Sequence, residues 1–130
     1  MRLSGRCYCG VVEYSVENEF VYSAICHCSG CRRATGSAFK AFAGIQREKL
    51  TVTKGVAGLL IYGQSDNHDA HCGTCGSLIY SLVRDAAWVH VAMGTLVDTP
   101  SIRPTHHIFV GSKAPWYEIT DDLPQYENFK

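Results

Sequence analysis

The stretch Cys26-His27-Cys28-Ser29-Gly30-Cys31-Arg32-Arg33 sets three thiols and two guanidiniums within eight residues, and nothing else in the chain constrains the fold so tightly. Three thiolates this close can share one zinc ion, but tetrahedral zinc takes four ligands and the stretch offers only three cysteines. A closed set of four cysteines is normally structural, whereas three protein ligands plus water or substrate is the arrangement zinc uses for chemistry. The reading therefore turns on where the other four cysteines go.

The chain has seven cysteines, in clusters at Cys7/Cys9, Cys26/Cys28/Cys31 and Cys72/Cys75. An odd number suits a disulfide framework poorly, and tight clusters suit metal binding well. Inert buried cysteines have no reason to cluster. His71-Cys72-Gly73-Thr74-Cys75-Gly76 reads as a zinc knuckle, because a tight turn brings both sulfurs to one metal and Gly76 permits a left-handed residue there. In a flat strand Cys7 and Cys9 would point the same way, roughly 6.5 to 7 Å apart, so sharing a metal requires the chain to curl, which Gly10 permits. The knuckle needs two more ligands, and Cys7 with Cys9 is the remaining pair. The spacing thus predicts Cys7, Cys9, Cys72 and Cys75 on a closed structural zinc, and Cys26, Cys28 and Cys31 around an open one. The rival partition, which adds one distant cysteine to the triplet, leaves an odd three and ranks lower.

At 130 residues, 46% of them hydrophobic, the chain reads as one domain over residues 1–130 with a modest core. Twelve Lys and Arg balance twelve Asp and Glu, so a nucleic-acid binder's basic footprint is missing. The N-terminus lacks an apolar signal core, and no apolar run approaches the ~20 residues of a membrane span, so a soluble, cytoplasmic protein is expected.

The pattern is mainly β, with short antiparallel strands and one short helix. Leu3–Cys7 and Val11–Val16 read as a hairpin, Phe20–Cys26 as a third strand, and Ser29–Thr35 as a helix with Ser29 as N-cap and Gly36 as its stop. Cys28 and Cys31 then sit at a helix N-terminus, which favours thiolate. Alternation continues over Ala38–Tyr62, Leu78–Val83, Trp88–Met93 and Thr105–Val110, while Ser65-Asp66-Asn67 reads as a turn. Arg32 and Arg33 are either a solvated helix face or a means of offsetting thiolate charge and receiving a substrate carboxylate. Lys40 is likewise either a surface lysine or a contact for an anionic ligand. His90, His106 and His107 read as hydrogen-bonded sheet histidines, with His106 and His107 on opposite faces.

The run Gly5-x-Cys7-x-Cys9-Gly10, Cys26-His27-Cys28-x-x-Cys31-Arg32-Arg33 with Gly36 and Phe39, Cys72-x-x-Cys75-Gly76, Gly94-Thr95-Leu96, His107-Ile108 and Ala114-Pro115-Trp116 resembles the glutathione-dependent formaldehyde-activating enzyme family, which includes centromere protein V. The resemblance implies a zinc-stapled β-tent with the same division of cysteines, those of the triplet being catalytic. It further implies two zinc ions, glutathione or another small thiol, and a small aldehyde as partners in carbon–sulfur lyase-type chemistry. Within the same family the alternative is a non-catalytic zinc-binding interaction module, in which His27, His71 or another side chain closes the triplet.

Overall fold

The computed structural model describes every residue, Met1–Lys130. In chain order the elements are β1 (Arg2–Arg6), β2 (Glu13–Glu17), β3 (Tyr22–Cys26), α1 (Ser29–Thr35), β4 (Lys40–Gln46), β5 (Leu50–Lys54), β6 (Leu59–Gln64), β7 (Asn67–Cys72), β8 (Leu78–Val83), β9 (Trp88–Ala92) and β10 (His107–Ile108). The expected mainly β architecture with one short α-helix is the one observed.

Strict alternation in β1 and β2 buries Leu3, Tyr14 and Val16 and leaves their neighbours more exposed. These strands pair antiparallel and, with β5, form a three-stranded sheet in the order β1-β2-β5. The other strands form a seven-stranded sheet in the order β10-β3-β4-β9-β8-β7-β6. Its pairs are antiparallel except β10 with β3, which is parallel and only two residues long. The Thr105–Val110 segment is thus mostly not strand, since its backbone bonds go largely to the C-terminal tail, including Tyr126 and Asn128.

Alternation gives the larger sheet two faces of different character. One face places Ile45, Val89 and Val91 against Leu3, Val12, Tyr14 and Val16, and this inter-sheet layer is the main core. The opposite face carries a smaller cluster of Ala24, Cys26, Phe42 and Ile108. On that face Cys26 lies opposite Lys40, Ala24 opposite Phe42, and Tyr22 and His90 flank Gly44.

Two further details differ from the sequence reading. The N-cap of α1 is Cys28, not Ser29, and its own sulfur accepts the bond from the Cys31 N–H; Gly36 closes the helix in the left-handed conformation as expected. Strand β7 begins at Asn67, which had been placed in a turn. Only Ala70 and Cys72 of that strand are buried, so its polar composition hides the strand period.

Candidate metal centres

The structure gathers the cysteines into two groups, Cys7 with Cys9, Cys72 and Cys75, and Cys26 with Cys28 and Cys31, the sulfurs within each group lying within 4.8 Å of one another. All seven are free thiols. In the group of four, the Cys7 and Cys9 sulfurs are 3.7 Å apart and those of Cys9 and Cys72 are 3.8 Å apart. A tetrahedron with metal–sulfur bonds of about 2.3 Å has edges of about 3.8 Å, so this donor set fits a thiolate-bound ion of zinc's size and geometry.

Local backbone geometry builds the group of four. After β1 the chain turns tightly, with Gly10 at φ 81° and its N–H bonded to the Cys7 carbonyl. The knuckle closes with the Gly76 N–H on the Cys72 carbonyl and Gly76 at φ 83°. Backbone N–H groups of Val12 and Thr74 point at the sulfurs of Cys7 and Cys72, at 3.3 and 3.4 Å. Ser77 ties the halves together, accepting from the Tyr8 N–H at 3.0 Å and lying 3.1 Å from the Cys75 sulfur. No motif in the sequence marked Ser77.

The thiols respond unequally. The Ser77 hydroxyl and N–H draw Cys75 down to about 5. Burial raises Cys7, but the Val12 N–H and neighbouring thiols outweigh it and the net shift is downward. Cys9 ends at about 11, because desolvation and its neighbouring thiols override the Val11 N–H. In the triplet, the hydrogen bond with Cys31 lowers Cys26, and that same bond, with burial and the Cys26 charge, raises Cys31. Each group holds some thiolates readily and resists the rest, so full ionisation calls for a shared cation.

The triplet sits where β3 passes into α1. Cys26 is buried, while Cys28 and Cys31 are half-buried. No fourth His, Cys, Asp or Glu joins them within ligand range. His27 is fully buried, but its Nε2 lies 2.8 Å from His107 Nδ1, and His107 Nε2 lies 3.0 Å from Asp121 Oδ1. With the carboxylate as acceptor, His107 donates from Nε2 and accepts at Nδ1 from His27. Burial, reinforced by His107, holds His27 down to about 4, and its Nδ1 has no partner. His71 donates elsewhere, to the Gly76 carbonyl at 3.1 Å.

The three cationic candidates fall in different places. Arg33 is exposed, and Arg32 is half-buried with an Nε that has no hydrogen-bond partner. Lys40 is 7% exposed; its Nζ donates to Ser81 Oγ at 2.9 Å, and that hydroxyl donates to Asp69 at 2.6 Å. Lys40 therefore reaches the thiols through its field, one of the influences lowering Cys31. A cavity of about 460 Å³ runs from the end of α1 past Lys40 to Cys75 and Gly76. No thiol of the triplet lines it.

A family model described as glutathione-dependent formaldehyde-activating enzyme matches residues 2–112. A Halomonas elongata protein provisionally named a glutathione-dependent formaldehyde-activating enzyme is 28% identical over 130 residues, covering 92% of this chain and 82% of its own. The crystal structure of a Rhodobacter sphaeroides protein superposes with a TM-score of 0.63 at 29% identity, covering 76% of this chain and 92% of that one. All seven cysteines lie inside the matched segment, and the chain belongs to the glutathione-dependent formaldehyde-activating enzyme family.

Proposed function

We propose that this chain joins a small thiol of the glutathione class to formaldehyde or another small aldehyde at the Cys26, Cys28 and Cys31 centre. The observation that carries the reading is a three-sulfur group with no fourth protein ligand, beside a four-sulfur group that is complete. Zinc held by the triplet would supply a cation at which a substrate thiol is a thiolate near neutral pH. The sulfur lone pair forms the C–S bond, the carbonyl π pair moves to oxygen, and the thiol proton passes through water to that oxygen. Atoms balance as an addition, with no redox step.

Residues of the chain have separate parts in this scheme. Cys28 caps α1 and presents its sulfur in one act. Lys40, anchored on Ser81, offsets the negative charge of the thiolates from its place opposite Cys26. Arg32, with an unused buried Nε, suits a substrate carboxylate better than exposed Arg33. Neither His27, whose Nε2 is bonded to His107, nor His71 lies within ligand range of the triplet, which counts against the non-catalytic reading.

The test follows S-hydroxymethylglutathione formation with zinc-loaded protein, Cys28→Ser and no protein. Acceleration by wild type alone supports the assignment. A wild-type rate equal to the spontaneous one, with two zinc ions per chain, rejects it.

A further inference from the structure

The face of the larger sheet that carries the triplet also holds a cavity of about 510 Å³ that neither cysteine group explains. Its apolar lining includes Ala24, Phe42 and Ile108, which share a buried cluster with Cys26. Aromatic rings from Tyr22, Phe42 and Phe129 line it. Phe129 lies beyond residue 112, where the family match ends, so part of this wall belongs to the chain's own tail.

At the rim stands Arg84, and its situation is unusual for an exposed arginine. The guanidinium carbon lies 5.3 Å from the ring centroids of both Tyr22 and Trp88, which hold it in place. Its backbone is in the left-handed region, at φ 53°, as are Asp85 at 56° and Ala86 at 69°. Side chains with a Cβ stay there only when their surroundings impose it. The chain's ion pairs, Arg2–Glu17, Lys49–Glu19, Lys54–Glu13 and His107–Asp121, leave Arg84 out. Although the chain has twelve acidic residues, none lines the cavity.

An apolar, ring-bearing lining beside an oriented, unpaired guanidinium, with Lys130 as a second cation on the wall, describes a complementary ligand. We propose that this cavity binds a small ring-bearing carboxylate, its ring among Tyr22, Phe42 and Phe129 and its carboxylate on the Arg84 fork. The Arg84 guanidinium matches one planar carboxylate bidentately. The volume falls within the range of small-molecule sites. The site stands apart from thiol addition, and its test does not depend on that reaction.

The experiment titrates zinc-loaded full-length protein with phenylacetate, neutral phenylacetamide and ring-less acetate, by calorimetry and by ligand-observed NMR. Phenylacetate is expected to bind at least about ten-fold more tightly than either control, and Arg84→Gln to erase that margin. Ile102→Glu, which adds a carboxylate to the cavity wall, is expected to weaken phenylacetate more than phenylacetamide. This variant keeps the test decisive should Arg84→Gln fail to fold. Equal binding of phenylacetate and phenylacetamide, undiminished binding by folded Arg84→Gln, or absence of phenylacetate binding up to solubility would overturn the proposal.

Discussion

Cys28 carries two duties on one sulfur, and they can be separated by a single atom. Serine is a strong N-cap, so Cys28→Ser keeps the bond to the Cys31 N–H while giving up a thiolate. The expected result is a thermal midpoint within a few degrees of wild type, one zinc instead of two, and no catalysis. Cys75→Ser is expected to lower the midpoint by more than about 10 °C, since it opens the metal group that joins the sheets. Equal losses in the two variants would refute the division of labour. His90 offers a second residue-level test. Burial first, then the charges of Lys40 and Arg84, hold it down to about 4, and the Tyr22 hydroxyl donates to its Nε2 at 2.6 Å. An unfolded histidine binds its proton at about 6.5, so between those values the unfolded state is the more protonated. Its contribution to stability is therefore complete above about pH 6.5 and fades as pH falls toward 4. It amounts to at most about 3 kcal/mol. Chemical denaturation of wild type and His90→Gln across that window should show a shallower slope for the variant; parallel slopes would discard the assignment.

Among the elements, the connection after β7 is the one that most depends on a neighbour outside itself. Ser77 bonds both the Tyr8 N–H and the Cys75 sulfur, linking the turn after β1 to the knuckle. Ser77→Ala is expected to weaken zinc at the four-cysteine group about 10- to 100-fold, read by competition with a chromophoric chelator. Undiminished affinity would show the hydroxyl to be a bystander. The same region shows what sequence reasoning can reach. The knuckle was legible because Cys72-x-x-Cys75-Gly76 prescribes its own turn, and β1 and β2 because their apolar residues alternate cleanly. Strand β7 was not, since Asn67, His68, Asp69 and His71 are polar and the strand is held by pairing on both sides with β6 and β8. Likewise the Asp69–Ser81–Lys40 chain spans three strands whose adjacency no local pattern announces. The seating of the Arg84 side chain gave no signal, because it arises from two rings contributed by β3 and β9.

At the scale of the whole molecule, the two cysteine groups do different mechanical work. Cys7 and Cys9 follow β1 of the three-stranded sheet, whereas Cys72 ends β7 of the seven-stranded one, so the four-sulfur group clamps the sheets at one end of their shared core. The triplet joins only β3 to α1, on the outer face. Stepwise chelation is expected to release zinc in two phases, the first without loss of near-ultraviolet circular dichroism and the second coincident with unfolding. A single phase that abolishes structure at once would contradict this arrangement. The 4 + 3 partition was readable from spacing alone, but the placement of the clamp between sheets required the strand order.

Cys9 leaves the ribosome 63 residues ahead of Cys72, whose sulfur lies 3.8 Å from its own in the folded chain. Until the later cysteine arrives, the leading hairpin has nothing to fasten to. With zinc in the four-cysteine group, scarcity of the ion would thus act on newly made chains before it acted on finished ones, leaving them open to proteolysis, and metal supply would set how much of the protein accumulates.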